Sequence, residues 1–352
     1  MKSIKIIQDK SIEINNVNNY CLKINKSFIS KNIFKFLMIS LFSFFIIYQT
    51  KIINDLKIIS KYLRENKLDM NNYDLNFKYH LYERERITAK MKKYGGWLLG
   101  GKNDIYFING IIRRHKPKKC LEIGVFKGGS SIVILNALKD IKDSFLISLD
   151  LNSFKGIGEN VEKYFPELAN NNKWKLYTGK QPHIFLDKLN LKFDFLFLDT
   201  AHIAPGEIIN IIEALPFLEE NAIIVMHDLI YHLQSINFKY RPREIKFHPS
   251  QIYLLSSLAG YKIIIKNENK GLENIGAVFL YSNKEKYYLN YFLLLFSPWE
   301  YMPTITQIEE LRSFIQKYYK NDLFLLLFNK AVEENKIYIN KFKTVYNEVF
   351  KK

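Results

Sequence analysis

The chain has 352 residues, enough for about two domains. Hydrophobic residues make up 48% and charged residues 25%, which excludes a wholly disordered chain. Two cysteines, Cys21 and Cys120, exclude a disulfide scaffold and a cysteine-rich zinc module. Lys and Arg number 52 against 35 Asp and Glu, a formal net charge of +17. The positive charges are scattered and accompany a general richness in Lys, Asn and Ile. No motif of a common nucleic-acid module is present, so no nucleic-acid partner is expected.

Residues 1–32 are polar and basic. Residues 33–53, IFKFLMISLFSFFIIYQTKII, form the most apolar stretch, with Lys35 and Lys51 near its ends. Counting those lysines as snorkelling ends, it reaches the ~20 residues a membrane-spanning helix needs. Three readings stay open: a membrane anchor, an interfacial helix, or a helix packed on protein. Lysines flank both sides and set no orientation. A cleaved signal peptide is not expected, because no A-x-A-like site follows. The segment 54–104 reads as a charged helical connector; YERERITAKMKKY has mixed charges at helical spacing.

From about residue 105 the rhythm changes. IYFINGIIRRH (105–115) reads as an amphipathic helix stopped near Pro117. Candidate strands are KCLEIG (119–124), SFLISLD (144–150), KWKLYT (173–178), FDFLFLD (193–199), AIIVMHD (222–228), YKIIIK (261–266) and GAVFLY (276–281). Helix-sized segments such as 130–140 and 206–218 lie between them. This alternation predicts an α/β fold, a doubly wound, mostly parallel seven-stranded sheet with helices on both faces. The short polar link before the last strand predicts a closing antiparallel hairpin. The domain is expected over 105–283, with a helical C-terminal extension over 284–352. That extension, with YYLNYFLLLFSPW and DLFLLLFNKAVEENK, reads as packing on the domain or on a second subunit of a homodimer, with a membrane surface as the alternative.

Ligands of such sheets sit outside the carboxyl ends of the strands. There stand Glu122, Asp150, Asp199 and the pair His227-Asp228. A core strand has no structural need for a buried carboxylate, so this is a site hypothesis. LEIGVFKGGSS, Leu121 to Ser131, follows the first strand and opens a helix. Gly124, Gly128 and Gly129 permit a sharp turn, and the helix start can hold an anion. The spacing is neither that of a dinucleotide fingerprint nor that of a phosphate loop.

Together these residues resemble the class I S-adenosylmethionine-dependent methyltransferases. FDFLFLDTAH and AIIVMHD narrow the resemblance to the O-methyltransferase-like branch of small bacterial sugar and antibiotic methyltransferases, related in plan to the catechol type. The resemblance spans about residues 105–282. It implies that Glu122, Gly124, Phe126, Gly128, Gly129, Ser130, Asp150 and Gly179 hold S-adenosylmethionine, with Asp150 on the ribose. Gly179-Lys180-Gln181 would flank the adenine; Lys180-Gln181 depart from the small or acidic residue usual there. Asp199 and Asp228, with His227, are candidate ligands for Mg²⁺ or another divalent cation, although a histidine in that set suits a softer metal or none. His202 is the candidate general base, with Asp199 beside it as catalytic; a structural or metal-binding His202 stays open. The expected activity is O-methylation of a small molecule or a surface-glycan sugar, in the cytoplasm or anchored to the inner membrane. The alternative is a membrane-tethered, non-catalytic nucleotide-binding or assembly protein.

The remaining signals are weaker. Arg241 and Arg243, in the long 229–249 segment, could grip an anionic acceptor or be solvated. The glycines around Trp97 could gate the cofactor or act as a linker.

Overall fold

A computed structural model describes residues 102–170, 172–229, 254–255, 258, 260–267 and 271–350, all within the unit Leu63–Lys352. The apolar segment 33–53, the connector before residue 102, Trp97, Arg241 and Arg243 lie outside the described residues. Among the described residues no helix is long and apolar enough to cross a membrane.

The chain runs α1 (Lys102–His115), β1 (Lys119–Ile123), α2 (Gly129–Leu138), β2 (Phe145–Asp150), α3 (Glu159–Tyr164), α4 (Pro166–Ala169) and β3 (Trp174–Thr178). Then come α5 (Pro182–Leu189), β4 (Phe193–Leu198), α6 (Gly206–Ala214), β5 (Leu218–His227), β6 (Gly260–Asn267) and β7 (Gly271–Leu280). The seven strands form one sheet in the order β3-β2-β1-β4-β5-β7-β6. β1 to β5 are parallel, and β7 runs antiparallel to both β5 and β6. The chain leaves β3 at one edge and returns as β4 beside β1. The order therefore reverses between β1 and β4, which opens a crevice at their carboxyl ends.

Burial explains the strands. Phe195, Leu196, Phe197, Ile224, Val225 and Met226 are fully buried, as a sheet covered on both faces requires. Removing each such side chain from water stabilises the fold by roughly 1.5–3 kcal/mol. All ten residues of α2 are buried, so this helix is part of the core and the turn before it is held rigidly.

Several boundaries differ from the sequence reading, two of them with a clear physical reason. α6 stops at Ala214, and Pro216 falls in a short 3-10 turn, Leu215–Phe217. Proline has no N–H to continue the helical ladder. β7 begins at Gly271, five residues before the expected start, because the hairpin with β6 continues through Asn267 opposite Gly271.

The C-terminal extension contains α7 (Tyr288–Leu294), α8 (Ile305–Tyr318) and α9 (Asp322–Phe350). Thr304 and Gln307 form a reciprocal cap at the start of α8. Phe292 and Tyr319 pack edge to face. Tyr319 Oη donates to the Ile212 carbonyl at 2.5 Å, and the Glu300 amide donates to the Ala204 carbonyl at 2.9 Å. The extension is thereby fastened to α6 and to the loop before it.

Candidate active site

A cavity of about 590 Å³ opens at the crevice, lined by the ends of β1, β2, β4 and β5, by α6 and by the C-terminal extension. Gly124, Phe126, Gly129, Ser130, Asp150, Asp199, His202, His227 and Asp228 line it. Glu122, Gly128 and Gly179 do not, so the expectation that four strand-end carboxylates share one crevice is corrected for Glu122.

Glu122 is fully buried beneath the turn. It accepts hydrogen bonds from Ser130 Oγ at 2.5 Å, Ser131 Oγ at 2.6 Å and Ser148 Oγ at 2.5 Å. Burial pushes its carboxyl up to about 7, against the pull of those three hydroxyls. Its geometry ties the start of α2 to β2.

Asp150 braces the turn from the other side. One oxygen accepts from the Val125 and Phe126 amides, each at 3.0 Å. The other accepts from the Asn152 amide at 2.9 Å and from Asn152 Nδ2 at 3.2 Å. The turn leaves Phe126 with a φ of +48° and a side chain 59% exposed. Leu151 and Phe154, also exposed, line the same cavity; Phe126 and Phe154 have ring centroids 6.2 Å apart.

Across the cavity, Asp199, His202 and Asp228 meet. One donor atom from each lies within 4.8 Å of the others. His202 Nε2 is 3.0 Å from Asp228 Oδ2, and His202 Nδ1 is 3.7 Å from Asp199 Oδ1. His202 and Asp228 both have left-handed backbones, φ +57° and +56°, a cost of order 1–3 kcal/mol each that concentrates at functional sites. Glu207, on α6, accepts from the His202 amide and from Thr200 Oγ1, and so holds the loop that carries His202. Burial raises the Glu207 carboxyl, with His202 opposing.

His227, expected as the third ligand, is not in that group; His202 takes its place. His227 Nδ1 is 3.4 Å from Asp199 Oδ2 and 3.5 Å from Asp228 Oδ1. Its Nε2 is 3.3 Å from Oδ2 of Asp104, on α1. Burial opposes a charge on this ring, but Asp199, Asp104 and Asp228 outweigh it and hold its pKa well above the usual histidine value. Burial also works against a charged Asp228, but His227, His202 and Asn274 outweigh that and keep the carboxyl below its usual range.

Several lining residues escape the sequence reading. Asn210 and Glu213 come from one face of α6, and Tyr301, Pro303, Gln307 and Leu311 come from the extension. Glu213 is buried against His183 at 2.6 Å, and Gln181 Nε2 donates to Glu310 Oε2 at 3.1 Å. The polar positions 207, 210 and 213 in the otherwise apolar GEIINIIEA were legible as one helical face. Nothing in the local sequence marks Phe154 or Tyr301.

This sheet order, with a glycine turn after β1 and acids at the ends of β2, β4 and β5, is the doubly wound, mostly parallel seven-stranded sheet that the sequence leads one to expect. Residues 121–229 match the family model described as a methyltransferase domain. No curated protein matches the chain in sequence. Among solved structures it is similar to the O-methyltransferase TomG from Streptomyces achromogenes, involved in tomaymycin synthesis and solved with SAM. That match has 17% identity and a TM-score of 0.42, covering 56% of this chain and 89% of that one. It is also similar to an O-methyltransferase from Bacillus cereus in complex with SAH, at 14% identity and a TM-score of 0.42, covering 56% and 90%. A third is the SAH-bound methyltransferase PaMTH1 from Podospora anserina, at 16% identity and a TM-score of 0.43, covering 58% and 95%.

Proposed function

We propose that the chain is an S-adenosylmethionine-dependent O-methyltransferase acting on a hydroxyl of a small molecule or sugar. One observation carries this reading: Asp150, Asp199, His202 and Asp228 open onto a single cavity beside the turn after β1. The cavity suits that cofactor. Phe126, Leu151 and Phe154 are large, exposed apolar side chains at its wall, and a flat purine would cover them. Asp150 stands where a ribose could exchange a hydroxyl for the 3.2 Å contact with Asn152 Nδ2. The start of α2 at Gly129 and Ser130 also lines the cavity and suits a carboxylate.

When bound, the cofactor supplies a methyl group on a positively charged sulfur that is already its own leaving group. The chain must then position the acceptor and take its proton. In this reading the acceptor hydroxyl enters beside His202 and gives its proton to the ring's unprotonated nitrogen. Asp228, which holds the Nε2 side of the ring at 3.0 Å, stabilises the imidazolium that forms. Glu207 keeps His202 in its left-handed loop. Asp199, His202 and Asp228 also form a donor set that a divalent cation could use. Such a cation would polarise the acceptor oxygen and lower its pKa. A neutral imidazole has one free lone pair, so the two uses of His202 exclude each other, and a cation bound by His202 leaves the proton to another acceptor.

Calorimetric titration with S-adenosylmethionine, S-adenosylhomocysteine and NAD tests the reading. The first two should bind and NAD should not; binding of NAD alone overturns it. Methyl transfer before and after chelation then separates the two uses of His202.

A further inference from the structure

Asp104 is a carboxylate where apolar packing would serve stability better. It sits in the first turn of α1, a helix whose Ile105, Ile108, Ile111 and Ile112 are all buried in the core. Its own exposure is 2%. A charge there costs several kcal/mol in desolvation unless a partner offsets it. The partner is His227, 3.3 Å away through Nε2. His227 is itself buried, and its Nδ1 faces the active-site carboxylates at 3.4 Å and 3.5 Å. One imidazole thus stands between a carboxylate from outside the cavity and the two that line it. Asp104 lies outside the matched segment 121–229, and no other residue named in the site comes from α1.

The orientation of a buried histidine ring is set by the groups that hold its two nitrogens. A carboxylate opposite Nε2 keeps the proton on Nε2. Nδ1 then meets Asp199 and Asp228 in a fixed orientation. Without that partner the ring is free to turn, and both carboxylates lose a fixed neighbour.

We propose that Asp104 is a positioning residue: by accepting the Nε2–H of His227 it fixes the ring that sets the placement of Asp199 and Asp228. Its consequence for methyl transfer rests on the reading above. The ring assignment does not, and the test separates the two.

The test is nitrogen-15 histidine NMR on the full chain, with the His227 signals assigned by their loss in His227→Gln. Wild type should show a protonated Nε2 in slow exchange with water. Asp104→Asn, which keeps an acceptor oxygen, should retain that signal. Asp104→Leu, of similar size and apolar, should lose it. A bare Nε2 in wild type, or an unchanged signal in Asp104→Leu, overturns the proposal. Should the leucine variant fail to fold, the wild-type spectrum still decides. S-adenosylhomocysteine titration of wild type and both variants is run alongside. Equal affinity in all folded forms is expected, whereas absence of binding in wild type counts against the methyltransferase reading and leaves the ring assignment standing.

Discussion

Gly124 lies so close to the main chain of Asp199 that a Cβ on it would stand 1.8 Å from the Asp199 carbonyl oxygen. β1 and β4 come together here, with the Asp199 amide donating to the Ile123 carbonyl at 3.0 Å. The φ of Gly124 is +91°, a region that side chains disfavour. The absent side chain therefore lets Asp199 reach the cavity rim; it makes room for chain rather than for ligand.

Gly124→Ala should cost about 2–5 kcal/mol, combining backbone strain with overpacking. Gly110→Ala should act in the opposite direction. Gly110 is in the middle of α1 with nothing within 4 Å of its added Cβ, so alanine should stabilise by roughly 0.5–1 kcal/mol. Urea denaturation midpoints of the two variants check the pair. A near-neutral Gly124→Ala would remove the close approach from the account.

Asp150 has two tasks, and its variants should separate them. Asp150→Ala removes the acceptor for the Val125 and Phe126 amides and the group offered to a ribose. Affinity for S-adenosylhomocysteine should fall by roughly 10²–10⁴-fold, taking ~1.5–3 kcal/mol for each of two hydrogen bonds to a charge. Asp150→Asn keeps one acceptor oxygen for the turn, so its melting temperature should stay nearer wild type while its affinity still drops. Full affinity in the alanine variant would show that the ribose lies elsewhere.

Glu122 predicts a pH dependence of stability. Its folded pKa, raised to about 7, lies above the ordinary glutamate value of 4.5, so between those values the folded state holds the extra proton. The stability this group contributes is present in full below pH 4.5 and is lost as pH rises through 7. The swing is roughly 3 kcal/mol. Glu122→Gln cannot titrate. The stability of the variant relative to wild type should therefore shift in the variant's favour by about that amount between pH 4.5 and 7.5. Urea titrations across the pH series measure it, and a flat difference would mean the carboxyl is not held up by burial.

His202→Ala should cut turnover of any acceptor the wild type methylates by roughly 10²–10⁴-fold. Cofactor affinity should stay intact, because Asp150 and the turn do not touch this ring. Partial recovery with added imidazole would support proton transfer. An unchanged rate would leave His202 with a structural role.

The sheet was legible because burial on both faces writes continuous apolar runs, as in FLISLD and FDFLFL, and helices between them demand parallel crossovers. Asp150, Asp199 and Asp228 were legible for a related reason, and His202 through the resemblance that FDFLFLDTAH carries. A charged residue ending an apolar strand has no packing explanation, and strand ends in this topology share one edge. Glu122 followed the same pattern and still lies elsewhere. It falls within β1, one residue before the strand's end, and its side chain turns beneath the sheet edge to three serines contributed by α2 and β2.

The order of local elements, their types and the acids at their ends follow from hydrophobic periodicity and from the cost of burying charge, both properties of neighbouring residues along the chain. Which nitrogen faces which carboxylate does not. Asp104 reaches His227 across 123 positions, and Tyr301 and Gln307 reach the cavity from an extension beyond the sheet. Such contacts depend on how separate elements pack in three dimensions, and no local pattern records them.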